Sequence, residues 1–300
     1  MTPTLIDKPG VYDLAADSYH ADPVKGGSLS STGARKLLPP SCPALYRYWA
    51  DHPEQHRRVF DFGQAAHAEI LGIGRPIAVL NFDNYRKKAA QDARDDAHAA
   101  GEIPLLADEY AQVQAMADAL RAHPIASVLL DPESGRGEQS LIWRDKPSGV
   151  WRRAMLDWLP DPHEGRLIIP DYKTAVRAEP AALGRTMHSY GYAQQADWYL
   201  AAVEALGLAG ELDPVFVFIF QEKTPPYLVT VAQPDPPALL WGRRLNQEAI
   251  ATYRHCTATG QWPGYSETVV SLELPFYATR QLEDAWERGD LSAYTDEDAA

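Results

Sequence analysis

The chain has 300 residues, 45% of them apolar, and a formal charge of −13 at pH 7, which describes a soluble globular chain of one or two domains. Its longest strongly apolar run, Val215 to Phe220, is far short of the ~20 residues a membrane span needs. The N-terminal MTPTLIDKPG has no basic stretch leading into an apolar one, so the expected compartment is the cytoplasm. Two cysteines, Cys42 and Cys256, cannot supply a disulfide framework, a four-cysteine zinc site or an iron–sulfur cluster.

In chain order, residues 1–27 read as loop, punctuated by Gly26-Gly27. Ser30 and Ser31 offer hydroxyl caps to a short helix ending at Pro39-Pro40, and Pro43 opens a second helix through Trp49. A third helix is predicted from Arg57 to Leu71, with Gly63, Ala66, His67 and Ile70 on one stripe. Residues 84–102 are charge-rich and weakly patterned, which suits a surface insertion or a mobile lid, and a helix follows over Asp108–Leu120. Strands are then expected at Glu138–Arg144, Gly149–Leu159 and Arg166–Lys173. One long helix is expected from Pro180 to Ala205, then a buried strand at Val215–Phe220 with Tyr227–Val231 as its hairpin neighbour. An amphipathic helix over Pro237–Thr259 closes the pattern. This order specifies an α/β fold, a central mixed β-sheet flanked by helices, with an N-terminal helical segment.

Chemistry concentrates between Val150 and Lys173. Strand alternation puts Arg153, Met155 and Asp157 on one face, and Leu167, Ile169, Asp171 and Lys173 on one face of the next strand. An antiparallel hairpin turning at Glu164 would set Asp157 opposite Asp171 at roughly 5 Å, with Lys173 alongside. Two opposed carboxylates call for a compensating charge, and Mg²⁺, which takes hard oxygen ligands, is the economical one. Charge is unevenly spread. The last twenty residues hold seven acids and one base, whereas Lys25–Arg58 holds six bases and two acids. A nucleic-acid partner is therefore permitted despite the acidic total.

Asp157 followed by Asp171-Tyr172-Lys173 resembles the D…(D/E)xK signature of the PD-(D/E)xK nuclease superfamily. His67 in Phe62-Gly63-Gln64-Ala65-Ala66-His67 matches the upstream helical histidine of its RecB-like and RecE-like branches, and Glu138 resembles a further acid near their site. Tyr192, Gln195 and Tyr199 reproduce the Y-x-x-Q-x-x-x-Y helix that follows the lysine in those branches. With Gly10-Val11-Tyr12, Tyr19-His20, Leu29-Ser30-Ser31, Trp262-Pro263-Gly264-Tyr265 and Leu274-Pro275, the resemblance is to RecE (exonuclease VIII)-like phage and prophage exonucleases, over residues 10–276. Met155 departs from the pattern, where a basic residue is expected; Arg152 and Arg153 stand beside it.

The resemblance implies an N-terminal loop and helical segment at 1–56, a nuclease domain at 57–280 and an acidic tail at 281–300. It implies His67, Asp157, Asp171 and the Tyr172 carbonyl as ligands of Mg²⁺ (Mn²⁺ substituting), and Lys173 as the group acting on water. Glu138, Tyr192, Gln195 and Tyr199 would support the site, with Ser30, Ser31, Arg35, Arg152 and Arg153 meeting DNA. It further implies 5′→3′ digestion of linear duplex DNA, a ring-shaped homo-oligomer and a RecT-like single-strand annealing partner. No G-x-x-x-x-G-K-[ST] loop is present, so no nucleotide is expected. The alternatives are a catalytically inactive DNA- or protein-binding module of the same fold, and an endonuclease.

Overall fold

The computed structural model describes residues 5–52 and 61–291. Its elements run β1 (Gly10–Asp13), α1 (Ala16–His20), β2 (Leu29–Ser30), α2 (Ser31–Lys36), α3 (Pro43–Asp51), α4 (Asp61–Leu71), β3 (Ile77–Leu80), α5 (Lys88–Ala99), β4 (Ile103–Leu106), α6 (Ala107–Arg121) and α7 (Ala126–Leu129). They continue as β5 (Gly135–Arg144), β6 (Trp151–Pro160), β7 (Ile168–Ala175), α8 (Pro180–Tyr190), α9 (Tyr192–Ala205), β8 (Val215–Glu222), β9 (Val229–Ala232), α10 (Pro236–Thr259) and α11 (Phe276–Glu287). The chain divides into two compact units, Met1–Trp262 and Pro263–Ala300. The expected boundary at 56/57, and the start of the helix expected from Arg57, lie outside the described residues. The expected start of the acidic tail, at 281, falls within α11.

The fold is mixed α/β. One sheet has the order β1-β5-β6-β2 and another β7-β8-β9, each combining parallel and antiparallel pairs; β3 and β4 form a separate parallel pair. The two larger sheets meet at β6 and β7, and here the expected antiparallel ladder is absent. β6 pairs with β5 and β2, while β7 pairs in parallel with β8. Pro170 supplies the reason. Its missing N–H falls on the same side of β7 as the Tyr172 N–H, the side turned toward β6, so a continuous ladder would lack a donor there. In its place the Asp157 carboxylate accepts the Tyr172 N–H at 2.8 Å.

Apolar side chains of β7 and β8 alternate between two cores. Ile169, Phe216, Phe218 and Phe220 join Trp198 and Val203 of α9 and Ile250 of α10 in one cluster. Tyr172 and Ile219 point the other way, toward Ala65 and Ala66 of α4 and Met116 of α6. Asp171 and Lys173 therefore lie on the α9 face by the same alternation that buries Ile169 there.

Three other expectations change. The helix expected over Pro180–Ala205 is two helices, broken at Gly191, whose φ of +66° leaves the helical region. Residues 84–102, expected as a weakly patterned surface insertion or a mobile lid, hold the regular helix α5 (Lys88–Ala99), which makes the crossover between the parallel strands β3 and β4. Its only fully buried residues are the small Ala90 and Ala97, which is why no apolar stripe marks it in the sequence. Residues 1–27 are not all loop: β1 extends the larger sheet beside β5.

α10 reaches α9 through Gly242, where an added Cβ would lie 2.2 Å from the Ala193 carbonyl oxygen. Gly242→Ala gains about 1 kcal/mol of helix propensity but forces two backbones apart, so a net loss of about 1–2 kcal/mol is expected. Urea denaturation measures it, and an unchanged midpoint would mean the two helices do not pack at this distance.

Candidate active site

The site forms where β6 and β7 meet the back of α4. Ala65 and Ala66 are fully buried, and such small residues let α4 lie close enough to the sheets for His67 to reach Asp157. The His67 Nε2 is 3.2 Å from Asp157 Oδ1, and its Nδ1 is 3.7 Å from Glu138 Oε1. Glu138 stands across β5 from Asp157, at the one gap in the β5–β6 register. Its φ of +47° is a conformation that costs a non-glycine residue of order 1–3 kcal/mol. The kink turns its carboxylate onto the imidazole.

Asp171 is 1% exposed and has both oxygens engaged: Oδ2 with the Lys173 ammonium at 2.5 Å, Oδ1 with the Gln195 amide N–H at 2.7 Å. Gln195 also lies beside Tyr199, one helical turn on, whose hydroxyl pKa burial raises well above its ordinary value. The Lys173 ammonium also faces the Tyr192 ring, 5.6 Å from its centroid. His67, Glu138, Asp157, Asp171, Lys173, Tyr192, Gln195 and Tyr199 thus converge, with Asp157 and Asp171 joined through the Tyr172 backbone rather than across a ladder.

Burial and the neighbouring Asp157 charge push the Asp171 carboxyl up to about 7, against the pull of Lys173. Asp157 goes the other way: burial raises it, but His67, Lys173 and the Tyr172 N–H together hold it below its ordinary value. Burial opposes the charged forms of His67 and Lys173 too. The carboxylates outweigh it and raise both, so Lys173 is a firm ammonium here.

Among the described residues, no three His, Cys, Asp or Glu side chains form a ready-made cation cage. The donor chemistry nonetheless fits a hard divalent cation, which takes one or two carboxylates and fills the rest of its shell with water. A buried carboxyl displaced to about 7 beside a second carboxylate marks a place still short of positive charge.

The expected DNA contacts do not gather at this site as a group. Arg152 is buried between Trp143 and Trp198, 3.8 Å from the latter ring centroid, and pairs with Asp145 at 3.2 Å. It lies in the core and does not face a phosphate. Arg153 holds Asp22 at 3.0 Å and the Ser28 carbonyl at 2.7 Å, tying the N-terminal segment to β6. Ser30 is committed to capping α2, accepting the Gly33 N–H at 3.1 Å, and Ser31 is the first residue of that six-residue helix. Arg35 is exposed, with its side chain packed over Gly191. Tyr190, not among the expected site residues, is exposed and stacks on Tyr192 across Gly191, and the Tyr-Gly-Tyr run is its mark in the sequence.

Residues 44–275 match the family described as a PDDEXK-like domain of unknown function (DUF3799). The chain belongs to this family. Asp157, Asp171 and Lys173 lie within the matched residues. The crystal structure of a candidate exonuclease from Eubacterium rectale superposes at a TM-score of 0.55 with 10% identity, over 89% of this chain and 98% of that one. At that identity the likeness establishes the shared fold. The solved structure of SSO0001 shares 13% identity over 68% of this chain and 85% of its own, at a TM-score of 0.29. No curated protein matches the chain. No helix among the described residues is long and apolar enough to cross a membrane.

A common cation site predicts non-additive losses. Asp171→Asn and His67→Ala should each weaken Mn²⁺ binding at least about tenfold, and the double variant should be little worse than either. Calorimetric titration reads this; independent, additive losses would place the two residues on different ligands.

Proposed function

We propose that the protein is a divalent-metal-dependent DNA exonuclease that consumes no nucleotide and acts on linear duplex DNA in the 5′→3′ direction. The observation that carries the reading is the pairing of half-buried Asp157 with buried Asp171, with Lys173 on one carboxylate and His67 on the other, set in a PDDEXK-like fold. The likeness to the candidate Eubacterium rectale exonuclease supports exonuclease over endonuclease. Polarity, a ring-shaped homo-oligomer, a single-strand annealing partner, a cytoplasmic setting and a role in recombination come from the resemblance to RecE-like enzymes.

Hydrolysis of a phosphodiester needs an oriented water, stabilisation of the charge gathering on phosphorus and a proton for the departing oxygen. A divalent cation bound by His67, Asp157, Asp171 and the Tyr172 carbonyl would supply Lewis-acid charge at the phosphate. Lys173, held as an ammonium by two carboxylates, orients water and offsets the negative charge that develops on the phosphate oxygens. Gln195 fixes Asp171 through Oδ1, with Tyr199 packed beside it, and so holds the acid when Lys173 moves. Glu138 holds the His67 ring from its other nitrogen side.

Lys173→Ala should lower turnover by about 10²-fold or more while leaving duplex binding within a few-fold of wild type. Time courses on linear and circular duplex, with Mg²⁺, with EDTA and with ATP added, test the whole reading. Robust digestion in EDTA, strict dependence on ATP, equal attack on closed circles, or an unimpaired Lys173→Ala variant would each overturn part of it.

A further inference from the structure

We infer that Tyr190 forms a stacking subsite for one unpaired nucleobase, one ring out from the Tyr192 that faces Lys173, with Arg35 taking the adjoining phosphate; the inference rests on reading the cleft as a nucleic-acid site. The break at Gly191 creates the arrangement. Tyr190 ends α8 and Tyr192 begins α9, and the left-handed glycine between them folds the two rings into a parallel stack, centroids 5.5 Å apart and 17° from coplanar. The inner ring, Tyr192, rests on Phe218 at 5.1 Å and meets the Lys173 ammonium at 5.6 Å. The outer residue, Tyr190, is 57% exposed.

An exposed aromatic held on a second ring, which is itself anchored in the core, pays little further ordering cost when a flat ligand stacks on it. Every nucleobase offers such a face whatever its sequence; inside a duplex both faces are covered by neighbours, so a base presents one at a strand end or when unpaired. The phosphate end of the same nucleotide has its partner nearby. The Arg35 side chain crosses Gly191 so closely that a Cβ there would lie 2.4 Å from its Cδ and 3.4 Å from Nη1. A guanidinium carried across the glycine between the two stacked tyrosines offers the phosphate contact, and Tyr190 the stacking contact, that one nucleotide needs. The substrate at the site would then be a frayed strand end and not an intact duplex.

The test is a binding measurement in EDTA, so that no cleavage intervenes. A short single-stranded oligonucleotide and a series made abasic at one position at a time are titrated by fluorescence anisotropy. Tyr190→Ala should lose about tenfold or more in affinity for the intact strand, and Tyr190→Phe should match wild type. One abasic position should cost wild type a similar factor and cost Tyr190→Ala nothing further. Arg35→Ala should weaken intact and abasic strands by equal factors. If every abasic position costs wild type and Tyr190→Ala alike, or if Tyr190→Ala binds as wild type does, the subsite is wrong. Coupling without cleavage of any linear DNA would keep the subsite and remove the nuclease reading; cleavage without coupling would remove the subsite alone.

Discussion

The hydrogen bond from the Tyr172 N–H to the Asp157 carboxylate does two things at once. It joins β6 to β7 where Pro170 prevents a regular ladder, and it fixes the spacing of the two acids on which the chemistry depends. A backbone N–H lent to a side chain is normally a loss to a sheet. Here it leaves Asp157 with one oxygen held by the scaffold and the other turned to His67. Moving the strand would move the acid, so the integrity of the junction and the geometry of the site are one property.

Electrostatics within the site are divided unequally between chemically similar groups. Asp157 gathers His67, Lys173 and a backbone donor and is held ionised, whereas Asp171, more deeply buried and next to that charge, has its carboxyl pushed up to about 7. Two carboxylates with separated pKa values are what a site needs when one must stay charged while its neighbour exchanges partners. Lys173 is the group that links them. Its ammonium sits on Asp171, feels Asp157 and faces the Tyr192 ring, so any ligand entering the cleft must rearrange all three contacts.

Basic residues close together in sequence serve different ends. Arg152 and Arg153 are adjacent, but strand alternation sends the first between two tryptophans and the second to Asp22 and Ser28. Arg152 is costly to bury, and its pKa is drawn down to about 10 by that burial, with Asp145 in partial compensation. Arg153 holds the N-terminal segment against the sheet beside the cleft. Arg35, carried on the short α2, instead crosses Gly191, next to the Tyr192 whose ring faces Lys173.

The sequence by itself determined what depends on neighbours a few residues apart. Alternation along residues 167–173 put Asp171 and Lys173 on one face with Ile169, the small run around Ala65 and Ala66 marked a helix able to approach a sheet, and the spacing of Tyr192, Gln195 and Tyr199 marked one helical face. Tertiary structure decided what depends on partners far away in the chain. β7 took β8 as a parallel partner on one edge, from more than forty residues away, while on its other edge Pro170 leaves the junction with β6 to the Asp157 carboxylate and not to a hairpin ladder. Glu138 reached His67 only through a strained backbone, and the two arginines parted according to which strand face the core claimed. Gly191 ends one helix and starts another by taking the left-handed φ of +66°, and the absence of a side chain there leaves room for Arg35 to cross. Periodicity records which way a side chain points; which chain it then meets is set by long-range pairing, and no local window of sequence contains that.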